Sequence, residues 1–425
     1  MNYSKSNKRV AIIGANRIPF ARHMSVYSTA SNQDMMVAAL NGLIEKCKLQ
    51  GLQLGEVAGG AVVKHSREFN LMRESVLQTS LDQRTPACDL QQACDTGIES
   101  AIYIANKIAL GQIEVGIAGG VDSSSDVPLV LGERLRKTLL AARRAKTAAE
   151  RLKLFLSIKF KDLAPMPPMN EEPRTGMSMG DHTEATAKYY GITRQEQDEF
   201  SLTSHQKMAA AYEKGFFKDL ITPYLGLERD NNLRTDSSLE KLAKLKPAFD
   251  KVNGTLTAGN SSPLTDGASC VLLATEEWAK AHNLPVMAYI TFAEVAAIEF
   301  TNEKQNLLLS PVYAMSQMLE RANMKFQDFD FYEIHEAFAA QVLATFKIWE
   351  SEELSAKFGV KALGKIDKTK LNVNGSSLGA GHPFAATGGR VIATLAKLLQ
   401  EKGSGKGVIS VCAAGGQGIT AILER

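Results

Sequence analysis

Residues 91–100 read QQACDTGIES, a cysteine among small residues followed at once by an aspartate. Upstream, Ala87 to Leu90 read as the end of a strand. Downstream, Ile98, Ala101, Ile102, Ala105, Ile108 and Ala109 recur at helical spacing. Thr96 and Glu99 stand at capping-box spacing for a helix over 97–110. Cys94 is therefore predicted on a strand-to-helix turn, where free backbone N–H groups favour a thiolate. Asp95 opposes that field. Its carboxylate is expected to turn toward the helix amides and to leave Cys94 protonated at rest.

The same alternation extends both ways. Before the cysteine come a strand (Val10 to Ile13), a helix (Met35 to Leu49) and a strand (Val57 to Val63). EVGIAGGVDSSS (114–125) closes this half, and VMAYITFAEV (286–295) opens another. A helix follows Ser310-Pro311, with Ser310 as N-cap and Pro311 at N1. Then come the strand DFDFYEI (328–334), the turn LNVNGSSLGAGHP (371–383) and a helix carrying Val391, Ile392, Leu395, Leu398 and Leu399. GVISVCAAGGQG (407–418) reads as the last strand. Both halves end on an apolar strand running into Gly-Gly, which predicts a duplicated layered α/β unit. Packed about a pseudo-twofold axis, the halves would bring the Cys94 and His382 turns to one crevice.

The chain has 425 residues, 44% hydrophobic and 22% charged, so two or three globular domains are expected. A net charge of +3 carries no nucleic-acid signature. The polar start MNYSKSNKRV reads as no signal peptide, and no apolar run suits a membrane span. Five cysteines without a C-x-x-C pair argue against a disulfide framework or zinc and for a reducing cytoplasm.

Between the halves, residues 126–257 differ in character. The stretch 133–162 holds ten Lys/Arg against three Asp/Glu, with Leu135, Leu139, Leu152 and Phe155 among them and Leu163 just beyond. Two readings stay open: a solvated helical excursion, or a surface for anionic ligands, a partner subunit or membrane headgroups.

Two histidines stand in unusual settings. His382 sits on a glycine-rich turn before a helix, and His335 ends a strand and precedes Glu336. A zinc-protease H-E-x-x-H is ruled out, because Ala339 occupies its fifth position. Cys412 ends an apolar strand. An imidazole that takes a thiol proton suits nucleophilic catalysis, and a second cysteine suits a separate acid and base. With backbone N–H groups at the turns, the set points to acyl transfer through a thioester.

At these residues the chain resembles the thiolases (3-ketoacyl-CoA thiolase and acetyl-CoA acetyltransferase). The resemblance runs through RIPFAR (17–22), ACDTG (93–97), AGGVDSSSDVP (118–128), MGDHTE (179–184), KLKPAF (244–249), GTLTAGNSSPLTDGAS (254–269), HEAFAAQ (335–341), GHPFAATGGR (381–390) and CAAGGQG (412–418). HEAFAAQ, CAAGGQG and the basic insertion point to the branch of the fatty-acid oxidation trifunctional complex β subunit. The resemblance implies duplicated α-β-α-β-α halves, 1–125 plus 258–284 and 285–425, with a helical loop domain at 126–257. It implies Cys94 as nucleophile, activated by His382, and Cys412 as the acid that protonates the acetyl-CoA carbanion. His382 and a water held by His335 would form one oxyanion site, and the N–H groups of Cys94 and Ala414 the other. CoA contacts would fall on Arg234, Ser262, Phe249 and Met179, with Phe338 lining the reacting pocket. Coenzyme A enters as substrate, with no metal or prosthetic group. A homodimer or dimer of dimers and a hydratase/dehydrogenase α subunit are the implied partners.

Three departures stand out. Many thiolases have asparagine at His335, glycine at Ala414, and alanine or isoleucine at Asp95. Ketoacyl synthases share a Cys-His-His site, but Cys412 has no use in a decarboxylating condensation. A biosynthetic acetoacetyl-CoA thiolase and an inactive CoA- or lipid-binding subunit are the remaining alternatives.

Overall fold

A computed structural model describes residues 1–3 and 8–425 of the chain. In the first half the strands are β1 (Val10–Arg17), β2 (Glu56–Gly59), β3 (Ala87–Asp89), β4 (Val115–Asp122) and β5 (Thr265–Thr275). In the second they are β6 (Ala288–Ala297), β7 (Phe331–Ile334), β8 (Lys406–Ala413) and β9 (Gln417–Glu424). They lie in one sheet in the order β3-β2-β4-β5-β1-β6-β9-β8-β7. Outward from the centre, one half runs β1-β5-β4-β2 and the other β6-β9-β8-β7. The pairing senses agree step by step: antiparallel, antiparallel, then parallel. β1 and β6 meet antiparallel, Val10 opposite Ile290, and join the halves. The duplication expected from the element order is present.

Helices α1 (Asn32–Cys47) and α2 (Leu71–Leu77) cover the outer face of the first half, and α3 (Thr96–Ala109) its inner face. The intervening segment carries α4 (Glu133–Arg144), α5 (Ala148–Leu156), α6 (Met179–Tyr190) and α7 (Arg194–Glu213). In the second half α8 (Pro311–Ala322) and α9 (Ala339–Glu350) lie outside and α10 (Thr387–Lys402) inside. Val10 and Ile12 of β1 face the inner helices while Ala11 and Ile13 face α1, as the period of two in a strand requires. One inner core is shared by both halves, and each half has its own outer core, giving the α-β-α-β-α layering.

The inner helices α3 and α10 touch at their N-termini through glycines. A Cβ on Gly97 would lie 2.6 Å from the Ala385 carbonyl, and one on Gly388 2.3 Å from the Ile98 nitrogen. Real Cβ atoms do not approach so closely, so only glycine permits this crossing. It sets side by side the two turns that precede these helices, which carry Cys94 and His382.

Several elements differ from the sequence reading. Strand β2 stops at Gly59, because the N–H groups of Val62 and Val63 donate to the Asp122 carboxylate (2.9 and 2.7 Å) instead of to a strand. The run GVISVCAAGGQG is two strands, so Cys412 lies on the penultimate one. The chain reverses at Gly415 and Gly416, both at positive φ, and returns as β9. Strand β5 went unpredicted because TDGAS looks like a turn; Asp266 instead accepts from the N–H groups of Ser124 and Ser125. Ser310 holds the N-cap position of α8, but its hydroxyl makes no capping bond.

A buried ion pair ties the inserted segment to β1. Arg17 meets Asp230 through two hydrogen bonds of 2.6 and 2.7 Å, and Asp230 also accepts from the Phe20 N–H and the Tyr212 hydroxyl. Asp230→Ala strands a buried guanidinium and is expected to cost about 3–5 kcal/mol. The midpoint of urea unfolding measures this, and a shift worth under about 1 kcal/mol contradicts it.

Candidate active site

Strand β3 ends at Asp89, and the chain reaches α3 through a tight turn. Ala93 sits at φ +47°, a left-handed conformation that residues with a Cβ seldom adopt. The turn is held by Asp95 N–H to Gln92 carbonyl (3.0 Å) and Thr96 N–H to Ala93 carbonyl (3.2 Å). It presents the Cys94 sulfur to the second half, where His382 Nε2 lies 3.1 Å away. The His382 Nδ1 lies 2.6 Å from Thr387 Oγ1, and its backbone N–H donates to Thr265 Oγ1 at 3.1 Å. In the tautomer that carries its proton on Nδ1, toward Thr387, the Nε2 lone pair faces the thiol, the geometry a general base requires. The His335 ring lies 4.1 Å, centroid to centroid, from that of His382.

Electrostatically the centre is neutral at rest. Burial pushes the Cys94 thiol up to about 12, seconded by Asp95, while the N–H groups of Ala414 and Cys94 pull it back. Burial, then the Arg390 charge, lowers His382 to about 3. His335 is held well below the usual histidine range by burial, by His382 and by Arg390. The Cys412 thiol is driven far above its ordinary value by burial, then by Cys94 and Asp95. Two thiols and two uncharged imidazoles therefore face one another, with the Ala414 and Cys94 amides aimed at the nucleophilic sulfur.

Asp95 corrects the sequence reading. Both of its carboxylate oxygens are buried without a partner, and it does not cap α3. Nor do Thr96 and Glu99 form a capping box. The Thr96 hydroxyl donates to the Ala93 carbonyl and accepts from the Gln92 N–H, bracing the cysteine turn instead. Burial, with Glu99 nearby, raises Asp95 well above the usual carboxyl range. A carboxyl raised on folding is neutral in the fold and ionised in the unfolded chain above about pH 4, so it destabilises at neutral pH. Asp95→Asn is therefore expected to gain stability over wild type between pH 4 and 7, and not below pH 4. Cys94 alkylation by iodoacetamide should keep its pH dependence near neutrality, since a protonated carboxyl places no negative charge beside the thiol. Melting temperatures and alkylation rates across pH check both; a stability difference independent of pH contradicts the neutral carboxyl.

The expected ligand contacts divide. Met179, Phe249 and Phe338 pack in one apolar cluster with Cys412, and the Phe249 and Phe338 rings meet edge to face at 6.1 Å. Ser262 belongs to a segment laid against the start of α9, its N–H donating to the Ala337 carbonyl at 2.9 Å. Arg234 does not join them. It is exposed, and only its backbone N–H is fixed, 3.2 Å from His205 Nδ1. Among the described residues no group of three or more His, Cys, Asp or Glu is arranged to hold a metal ion. No helix among them is long and apolar enough to cross a membrane.

Several contributors escaped the sequence reading. Asp122 receives the Ala385 N–H at 2.8 Å as well as those of Val62 and Val63, locking the His382 turn to the first half. Glu172 accepts the Gly415 N–H at 2.6 Å and fixes the loop that carries Ala414. Thr387, Ser377 and Arg390 surround the two histidines. Asp122, Ser377, Thr387 and Arg390 lie inside stretches singled out in the sequence, but nothing local marks their roles.

A duplicated α/β fold that sets a cysteine and a histidine from its two inner-helix turns 3.1 Å apart defines an acyltransferase of the cysteine type. The chain belongs to the thiolase family: residues 10–277 match its N-terminal domain and 284–425 its C-terminal domain. It is 40% identical to a 3-ketoacyl-CoA thiolase of Serratia proteamaculans over 99% of this chain and 98% of that one. Its structure matches the Bacillus anthracis acetyl-CoA acetyltransferase with a TM-score of 0.83, at 30% identity and 99% coverage of both chains. It also matches human mitochondrial 3-ketoacyl-CoA thiolase in complex with CoA, with a TM-score of 0.81, at 27% identity and 98% coverage of both chains.

Proposed function

We propose that this chain cleaves 3-ketoacyl-CoA with coenzyme A, releasing acetyl-CoA and an acyl-CoA shortened by two carbons, as a step of fatty-acid breakdown. The observation that carries the reading is the 3.1 Å contact between His382 Nε2 and Cys94 Sγ, with Cys412 buried beside it. His382 takes the Cys94 proton as sulfur attacks the 3-keto carbon. The bond between C2 and C3 breaks, its electron pair goes to C2, and the Cys412 S–H protonates that carbon. Acetyl-CoA leaves and the acyl group stays on Cys94 as a thioester. The proton on His382 passes to the Cys412 thiolate, downhill between a depressed imidazole and a raised thiol. His382 then deprotonates the CoA thiol, which attacks the acyl carbon, and the departing Cys94 sulfur recovers the proton.

The oxygen charges that develop would meet the Cys94 and Ala414 N–H groups on one side and His382 with His335 on the other. Met179, Phe249 and Ser262 would hold the pantetheine, Phe338 would line the acyl pocket, and exposed Arg234 would meet the nucleotide phosphate. The same steps in reverse would condense two acetyl-CoA. Steady-state thiolysis of C4 to C16 3-ketoacyl-CoAs tests the reading and gives the chain-length preference; no thiolysis at any length contradicts it.

The basic insertion is proposed to dock on anionic surfaces, a membrane or an acidic partner subunit such as a hydratase/dehydrogenase. Helices α4 and α5 pack together, and the segment leaves Phe160 91% and Leu156 77% exposed, along with the side chains of Arg143, Arg144, Lys146 and Lys153. Exposed apolar groups within a cationic field are the composition of interfacial helices. Replacing Arg143, Arg144 and Lys146 with glutamate is expected to cut co-sedimentation with anionic vesicles, or with that partner, about tenfold or more in low salt. If the wild-type protein binds neither, the hairpin is a solvated excursion.

A further inference from the structure

The buried polar groups behind His335 form a directional chain. Arg390, buried on α10, donates from Nη2 to Ser377 Oγ at 2.7 Å and to Ser376 Oγ at 3.2 Å. Guanidinium is a donor only, so both hydroxyls accept from it and each must place its own hydrogen elsewhere. Ser376 has the Ile334 carbonyl at 3.2 Å. Ser377 has one other polar neighbour among the described residues, His335 Nδ1 at 2.7 Å. If Nδ1 carried the proton, the Ser377 hydrogen would be buried with no acceptor, a cost of about 1–3 kcal/mol. The Ser377 hydroxyl therefore donates to Nδ1, and the single imidazole proton sits on Nε2.

That Nε2 is itself buried without a protein partner, on a ring whose centroid lies 4.1 Å from that of His382, the two planes tilted by 45°. A buried N–H without a protein partner calls for an explanation, and a ligand or water oxygen supplies one. The frame around it is rigid. The Glu336 carboxylate accepts from Ser204 Oγ (2.7 Å), Asn372 Nδ2 (2.7 Å) and the Leu378 N–H (3.1 Å), pinning the turn that carries Ser377. The donor chain thus sets the tautomer of His335 alone, with its proton on Nε2.

We propose that Arg390 and Ser377 are positioning residues that fix the Nε2–H tautomer of His335, making it a one-way hydrogen-bond donor to the substrate's developing oxyanion or to the water that meets it. This rests on the thiolase reading for the oxyanion, but the tautomer itself does not.

The test uses the full-length protein labelled with imidazole 15N, its seven histidines assigned with the help of His335→Asn. Two-bond 1H–15N correlations report which ring nitrogen carries hydrogen. Nε2–H at His335 is expected in wild type, with a shift toward Nδ1–H in Ser377→Ala. Thiolysis by Ser377→Ala is expected to lose tenfold or more in kcat with KM within twofold, and Ser377→Thr to recover most of that loss. Nδ1–H at His335 in the wild type overturns the proposal whether or not Ser377→Ala folds. So does a Ser377→Ala kcat within twofold of wild type. A wild-type protein without thiolysis but with the Nε2–H tautomer would instead remove the catalytic reading and leave the relay.

Discussion

Cys94→Ser is expected to lower acyl transfer by about a thousandfold or more while leaving CoA affinity nearly unchanged. Burial and Asp95 already hold the Cys94 thiol at about 12, and His382 is a weak base at about 3. The resting pair is a thiol donating to a neutral imidazole, with almost no thiolate. Ionisation must be drawn out by substrate, as charge moves from sulfur to a carbonyl oxygen near the Cys94 and Ala414 amides. Sulfur tolerates this because its proton is comparatively acidic and its lone pairs polarisable. A serine hydroxyl is a far weaker acid, and the same weak base then has nothing to take. The groups proposed to hold CoA, Met179, Phe249 and Ser262, are untouched, so calorimetric titration with CoA should give a Kd within about threefold of wild type. Single-turnover acylation supplies the other half, and activity within tenfold of wild type would sink the assignment of the nucleophile.

What made this site legible was local grammar. A cysteine between a strand end and an apolar-periodic helix, and a histidine in the same place in a repeated unit, are visible in one dimension because both sit where a helix begins. The duplication then brings those two turns together. Charge state is another matter. The sequence shows Asp95 one residue from the nucleophile and a helix whose dipole invites a carboxylate, and that reading failed. The turn at Ala93 buries Asp95 rather than turning it to the amides, and burial outweighs the roughly 0.3–1 kcal/mol a helix terminus offers. The residues that orient the site were equally hidden. Asp122 lies 263 positions from the Ala385 it holds, and Glu172 lies 243 from Gly415. No periodicity or motif encodes such pairs; only the folded sheet brings them together. Strand β5 escaped because its start, TDGAS, is small and polar, and β9 because the Gly415-Gly416 reversal splits what reads as one run into two strands.

Cys412→Ala is expected to separate the two half-reactions. Cleavage and condensation should fall by about a hundredfold or more, while acylation of Cys94 by a saturated acyl-CoA stays within about threefold of wild type. The division follows from where protons are needed. Transfer of an acyl group between CoA and Cys94 exchanges one sulfur for another and calls only on His382. Breaking the bond between C2 and C3 creates a carbanion that must be protonated at carbon, and its reverse must remove that proton. A buried thiol far above its ordinary pKa is a poor nucleophile at rest but a suitable acid toward so basic a carbon. It regains its proton readily once acetyl-CoA has left. The apolar wall of Met179, Phe249 and Phe338 around Cys412 keeps bulk water from doing the same work. Stopped-flow acylation with acyl-CoA, run beside steady-state thiolysis, reads the two arms separately. If both fall together, Cys412 serves a structural role or a step common to both halves. His382→Ala supplies the contrast, since a base used for Cys94 and for CoA should slow both arms alike.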